Sequence, residues 1–85
     1  MTMTDRERKI SKAILDVLHD EDGRQMHETT LHGAVNAQAN CSLAEFSATL
    51  ALCDARGWLT GVTARLINGR KWNINDAGEA ARLDL

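Results

Sequence analysis

"ARLINGRKWNI", residues 64–74, decides how this 85-residue chain is read. Its Asn68-Gly69 pair stands between two strand-like runs, 62–66 and 70–75, and Asn-Gly in that setting marks a β-hairpin. Two registers are open to it. A two-residue turn pairs Ile67 with Arg70 and Arg65 with Trp72, and puts Val62, Ala64 and Leu66 on the face opposite Trp72 and Ile74. A three-residue loop, with Gly69 in the left-handed conformation, pairs Leu66 with Arg70, Ala64 with Trp72 and Val62 with Ile74. The second register gathers Val62, Ala64, Trp72 and Ile74 on one buried face, and it is the register predicted here. It also sets Arg65 beside Lys71 on the outer face. Like charges placed opposite one another cost stability, and a docked anion would reverse that cost.

Helices flank the hairpin. "TDRE" (residues 4–7) has the spacing of a capping box, followed by Ile10, Ala13, Ile14, Val17 and Leu18 at amphipathic helical spacing. Residues 20–23 supply a turn, and "RQMH" (24–27) reads as a short strand. A second helix opens at 28–30, with Leu31, Ala34, Val35 and Gln38 along its apolar stripe. "SLAE" (42–45) is another capping box and starts a third helix that stops at Gly57, where a left-handed cap is wanted. Leu43, Phe46, Leu50 and Cys53 share one face of it. Asp76 and Glu79 repeat the capping-box spacing ahead of a short terminal helix, about 77–83. The order is helix, short strand, helix, helix, hairpin, helix, read as a single domain over 1–85. The core should contain Ile14, Leu18, Leu31, Val35, Phe46, Leu50, Trp72 and Ile74.

Composition narrows the function classes. The chain is 44% hydrophobic and 26% charged, as ordinary globular proteins are. No apolar run approaches the roughly 18 residues of a membrane span, and the charged N-terminus lacks the apolar segment of a secretory signal. Cytoplasmic residence is the expectation. His27, His32 and Cys41 lack the close pairing of metal ligands, and Cys53 falls on an apolar helix face. No phosphate loop and no nucleophile–base motif appears, so neither an enzyme nor a cofactor is expected. Charge is unevenly placed within a net of −2: residues 1–12 sum to +2, 13–56 to −5, 57–75 to +3 with no acid, and 76–85 to −2.

"LALCDARGWLTG" (50–61) and "NGRKWNINDAGEAARL" (68–83) together resemble the winged helix-turn-helix superfamily, particularly small bacterial and phage transcription regulators. A leucine-spaced helix ends in Arg-Gly-Trp-Leu, a hairpin follows, and a strand runs into Ile-Asn-Asp-Ala-Gly. The last segment is similar to the Ile-Thr-x-x-Gly-x-x-Ala junction of those families. The resemblance spans nearly the whole chain. It implies an α+β, mostly helical winged helix: a three-helix core, a short strand, a two-stranded wing and a short C-terminal helix. In DNA-binding members the third helix enters the major groove and the wing lies on the backbone or in the minor groove. By that resemblance Arg65, Asn68, Arg70 and Lys71 are the wing contacts, while Ser42, Glu45, Ser47 and Thr49 are the polar residues the third helix offers. Arg6, Arg8, Lys9 and Lys12 are either an extension of that basic surface or the solvated face of the first helix.

The third helix also supports a different reading. With Leu50 at the centre of its buried face, Ala44, Glu45, Ala48, Leu52, Ala55 and Arg56 point outward. A base-reading helix usually presents Arg, Lys, Asn, Gln or Ser/Thr at its exposed N-terminal positions, and here Ser47 and Thr49 stand only to the sides. Small residues around an accessible Leu52 instead suit a protein surface. Two functions follow from the sequence. One is a DNA-binding regulator, expected to act as a dimer, with wing cations on phosphates. The other is a protein-interaction winged helix that docks a partner, or a second copy, through Ala44, Ala48, Leu52 and Ala55.

Overall fold

Two capping boxes start the helices that frame the molecule. The computed structural model describes residues 3–63 and 70–85. In the first box the Thr4 hydroxyl accepts the Glu7 amide at 3.1 Å and the Glu7 carboxylate accepts the Thr4 amide at 2.9 Å. Helix α1 (Asp5–Asp20) follows. In the second, Ser42 and Glu45 exchange the same pair of bonds, both at 3.1 Å, and open α3 (Leu43–Ala55). Between them lie β1 (Met26–His27) and α2 (Glu28–Gln38), and after them β2 (Leu59–Thr63), β3 (Arg70–Ile74) and α4 (Asp76–Asp84). Gly57 ends α3 with φ +77°, the left-handed conformation that glycine adopts without strain.

The cap of α4 differs from the expected Asp76–Glu79 box. Asn75 caps instead, its Oδ1 accepting the Gly78 amide at 2.9 Å while its Nδ2 donates to the Gly57 carbonyl at 2.8 Å. An amide can do both, whereas a carboxylate has no donor. The start of α4 is thereby tied to the end of α3.

Helix α1 packs against α2, α3, α4 and β3. Ile10, Ile14, Leu15, Leu18, Leu31, Val35, Phe46 and Cys53 are almost wholly buried at the centre, with Leu50, Leu59, Trp72 and Ile74 completing the core. All eight expected core residues lie inside. Leu43 does not join them and is 63% exposed. It shares an azimuth with Leu50, but seven residues place it roughly 10 Å further along the axis, at the helix's first turn. Gln38, at the end of the α2 stripe, is likewise exposed.

The described strands form one antiparallel sheet in the order β1-β3-β2, with Met26 opposite Trp72 and His27 opposite Lys71. The β2–β3 register departs from the expected one. Leu59 pairs with Ile74, Gly61 with Trp72, Val62 with Lys71 and Thr63 with Arg70. Val62 therefore lies on the outer face, 43% exposed, and Leu59 takes the inner position beside Ile74. The cause is the indole of Trp72, which occupies the space above Gly61: a Cβ built there would stand 2.8 Å from the ring. The expected turn at Asn68-Gly69, and the placement of Ala64, Arg65, Leu66 and Ile67, lie outside the described residues.

This register makes a direct prediction. Gly61→Ala should cost about 1–3 kcal/mol, because a buried ring must move to admit the methyl. Val62→Ala, on the outer face, should cost under about 1 kcal/mol. Phe46→Ala should cost about 3–5 kcal/mol. Denaturant unfolding of the three variants checks the ranking. A Val62 variant more damaged than the Gly61 variant would restore the register expected from sequence.

Candidate nucleic-acid interface

The short turn between α2 and α3 is held by α1. The Arg6 guanidinium grips the Glu45 carboxylate through Nε at 3.0 Å and Nη2 at 3.3 Å, and Nη2 also donates to the Asn40 carbonyl in the α2–α3 turn. A second tie crosses the same turn, where the Cys41 amide donates to Asn36 Oδ1 at 2.9 Å. Arg6 thus joins the ion pair that fixes the start of α3, a role its position in a run of α1 cations did not reveal. Glu45 is doubly engaged as the third residue of the capping box. The Arg6 bonds, and then the Ser42 amide, hold its carboxyl down to about 2, against an ordinary 4.5. At neutral pH Glu45 is an anion neutralised by its neighbour.

The expected third-helix residues divide accordingly. Ser42 is exposed, but its hydroxyl caps the helix. Ser47 is exposed, with Ala44, Ala48, Ala51 and Ala55 around the same outward surface. Thr49 is buried at 4% exposure and its hydroxyl donates to the Glu45 carbonyl at 2.8 Å, so it turns away from any groove. Leu52, expected to be freely accessible, is half-buried.

On the wing side of α3, a groove of about 320 Å³ runs against β3, lined by Glu28, Ser47, Leu50, Ala51, Asp54, Arg70 and Trp72. Arg70 leans over the Trp72 ring, 5.9 Å from its centre, and the Trp72 indole donates to Glu28 at 3.1 Å. Successive strand residues face opposite ways, so Arg70 shares the Trp72 side while Lys71 lies with Val62 on the outer face. The groove brings Ser47 and Arg70 together and adds two carboxylates, Glu28 and Asp54, that the sequence reading overlooked. The spacing of Ser47, Ala51 and Asp54, at i, i+4 and i+7, was the available signal for Asp54. With one cation and two acids on its lining, the groove is less suited to phosphate than the cations at the start of β3. Arg70 and Lys71 begin β3 at the end of the β2–β3 pair away from α4, where Thr63 pairs with Arg70 and Val62 with Lys71. Arg65 and Asn68 lie outside the described residues.

His27, His32 and both cysteines are taken up in capping and packing, while the exposed His19 meets Glu79. His32 stacks on Phe46 with ring centres 4.9 Å apart, and its Nε2 donates to the Cys41 carbonyl at 3.3 Å. His27 Nδ1 caps α2 by accepting the Thr29 amide at 3.2 Å. Burial pushes both cysteine thiols up from their ordinary value. Among the described residues no group of three His, Cys, Asp or Glu side chains is disposed to hold a metal ion. No helix among them is long and apolar enough to cross a membrane.

No family model matches the chain, and no curated protein matches it. Solved structures do. The crystal structure of SSV1 F-93 superposes with a TM-score of 0.69 at 17% identity, covering 99% of this chain and 84% of the other. TA0346 of Thermoplasma acidophilum, named for a proposed role as a transcriptional regulator, gives 0.66 at 22% identity over 88% of this chain and 72% of its own. The fold is a winged helix: α2 and α3 form its helix-turn-helix, and β1, β3 and β2 its sheet.

The Arg6–Glu45 clamp yields a pH prediction. A carboxyl whose folded pKa is depressed contributes stability that is fully present above 4.5 and is lost as the pH falls towards 2. Glu7, lowered chiefly by its bond from the Thr4 backbone, acts in the same direction. Thermal melts from pH 5 to pH 2 should therefore fall less steeply for Glu45→Gln than for the parent. Because both partners are near half exposed, 1 M salt should shrink the difference. Parallel profiles for the two proteins would contradict the clamp.

Proposed function

We propose that this protein is a DNA-binding transcription regulator whose wing rests on the phosphate backbone. The observation that supports this most is the charge of the hairpin in its structural setting. Residues 57–75 carry three bases and no acid; Arg70 lines the groove against α3, and Lys71 follows it on the outer face of the sheet. Phosphates are positioned by such cations, without regard to sequence. The transcriptional role proposed for TA0346 points the same way. Base reading would fall to Ser47 and to Glu45, the latter accepting from cytosine while Arg6 offsets its repulsion of phosphate. So sparse a reading surface means modest affinity per copy, and two copies on paired half-sites would supply the rest. Neither an enzymatic activity nor a cofactor is part of this reading.

If Arg65, Arg70 and Lys71 meet phosphates, log affinity against log salt should have a slope of roughly −3 or steeper. Replacing all three by alanine should flatten it by about 2 to 3 units. Fluorescence anisotropy of a labelled duplex across a salt series measures both. An unchanged slope in the triple variant would remove the wing from the DNA surface.

A second reading has its own observation, the two carboxylates on the lining of the groove between α3 and β3. Leu50, Ala51 and the Trp72 ring give it an apolar base, while Glu28 and Asp54 suit a basic residue of a partner protein. Leu43, 63% exposed at the start of α3, extends the apolar surface more effectively than half-buried Leu52. On this reading Leu43→Asp leaves the monomer folded and abolishes association with a partner or a second copy. Sedimentation of parent and variant over a concentration series shows whether such self-association exists.

A further inference from the structure

Behind the helix-turn-helix, away from the wing, α1, the end of α3 and α4 enclose an open cavity of about 540 Å³. That volume lies within the range of small-molecule sites, roughly 300–1,000 Å³. Its walls are of two kinds. Trp58, Ala77, Ala80 and Ala81 supply apolar surface with Met3 and Leu85 beside them, and Arg8, Arg56 and Asp84 supply the charged groups. The Arg56 guanidinium lies 5.4 Å from the centre of the Trp58 ring, so cation and aromatic face form one platform. It also stands near enough to Glu7 to favour that carboxyl's charged form.

We propose that this cavity binds a small organic anion, a carboxylate carried on a flat apolar body. The body lies against Trp58 and the alanines of α4, and the carboxylate meets Arg8 and Arg56, whose planar groups suit it better than an ammonium would. Helix α4 is in close contact with the segment that bears the platform, since a Cβ at Gly78 would clash with the Trp58 carbonyl. The Asn75 amide donates to that carbonyl at 3.3 Å, and the Asn75 side chain holds Gly57. An occupant would touch α3 at its C-terminal cap, Arg56, on the same helix whose Ser47, Leu50, Ala51 and Asp54 line the groove. The proposal is independent of whether the wing binds DNA.

Titration of the full chain with 2-naphthoate, followed by amide chemical shifts and Trp58 fluorescence, tests it, with 2-naphthamide as the uncharged control. The expected result is saturable binding that shifts the amides of Arg56, Trp58 and Ala80 and leaves Arg70 and Lys71 unmoved. The amide control and the Arg8→Gln variant should each bind at least tenfold more weakly. Equal binding of naphthoate and naphthamide, shifts located elsewhere, or full affinity in Arg8→Gln would overturn the proposal. Shifts at these residues that grow with protein concentration alone would overturn it too, since a second copy would then fill the cavity.

Discussion

The indole of Trp72 lying on Gly61 is the contact from which the rest of the sheet takes its geometry. Trp72 sits in the central strand, paired on one side with Met26 of β1 and on the other with Gly61 of β2. Its ring nitrogen donates to Glu28 at the start of α2, and its ring is buried to 3% exposure. One side chain thus joins both strand pairs to the helix that begins the helix-turn-helix. Glycine opposite is required because a side chain there would displace a rigid buried ring rather than a flexible tip. Once this pair is fixed, alternation determines the remainder. Leu59 and Ile74 complete the inner face, Val62 and Lys71 turn outward, and Arg70 comes to the groove beside α3.

A second set of bonds gives α3 its place. Its start is held by Arg6 through Glu45 and the Asn40 carbonyl, and its end by the Asn75 side chain through Gly57. These ties come from α1 and from the start of α4, the two ends of the described chain. Exposed ion pairs contribute little individually to stability, usually under about 1 kcal/mol. Their consequence here is orientation: an outward surface of serine and alanines is presented beside the wing at a fixed angle. Glu79 meets His19 at 2.8 Å and Arg82 meets Asp16 at 3.3 Å, so α4 is also clipped along α1.

Much of this fold was legible in the sequence because helix signals are local. Thr4 and Ser42 cap as their four-residue motifs indicate, Gly57 adopts the left-handed cap, and the apolar stripes of α1 and α2 find the core. Reading failed where a distant residue decides. Alternation of apolar residues favoured Val62 opposite Ile74, because it scores the side chains that fill a face and cannot see a glycine that makes room for one. Azimuth placed Leu43 on the face of Phe46 and Leu50 but said nothing of its distance along the axis. Asn75 was preferred over Asp76 as a cap by a bond to Gly57, eighteen positions away. In the candidate site, the cations of the hairpin were evident from charge alone. The acids Glu28 and Asp54 that share Arg70's groove were not, since only the folded sheet brings α2, α3 and β3 together.

The balance of charges around α3 leaves a division of labour to be tested: cations at the start of β3, a neutralised Glu45 at the start of α3, and a groove with two acids between. The most direct measurement is an amide-shift titration of the protein with a random DNA duplex at low salt, resolved by residue. A wing on the phosphate backbone predicts saturable shifts at Arg70, Lys71 and the first two turns of α3, with Glu28 and the groove floor little changed. No shifts at low salt, or shifts confined to residues away from β3 and α3, would contradict DNA binding by this surface.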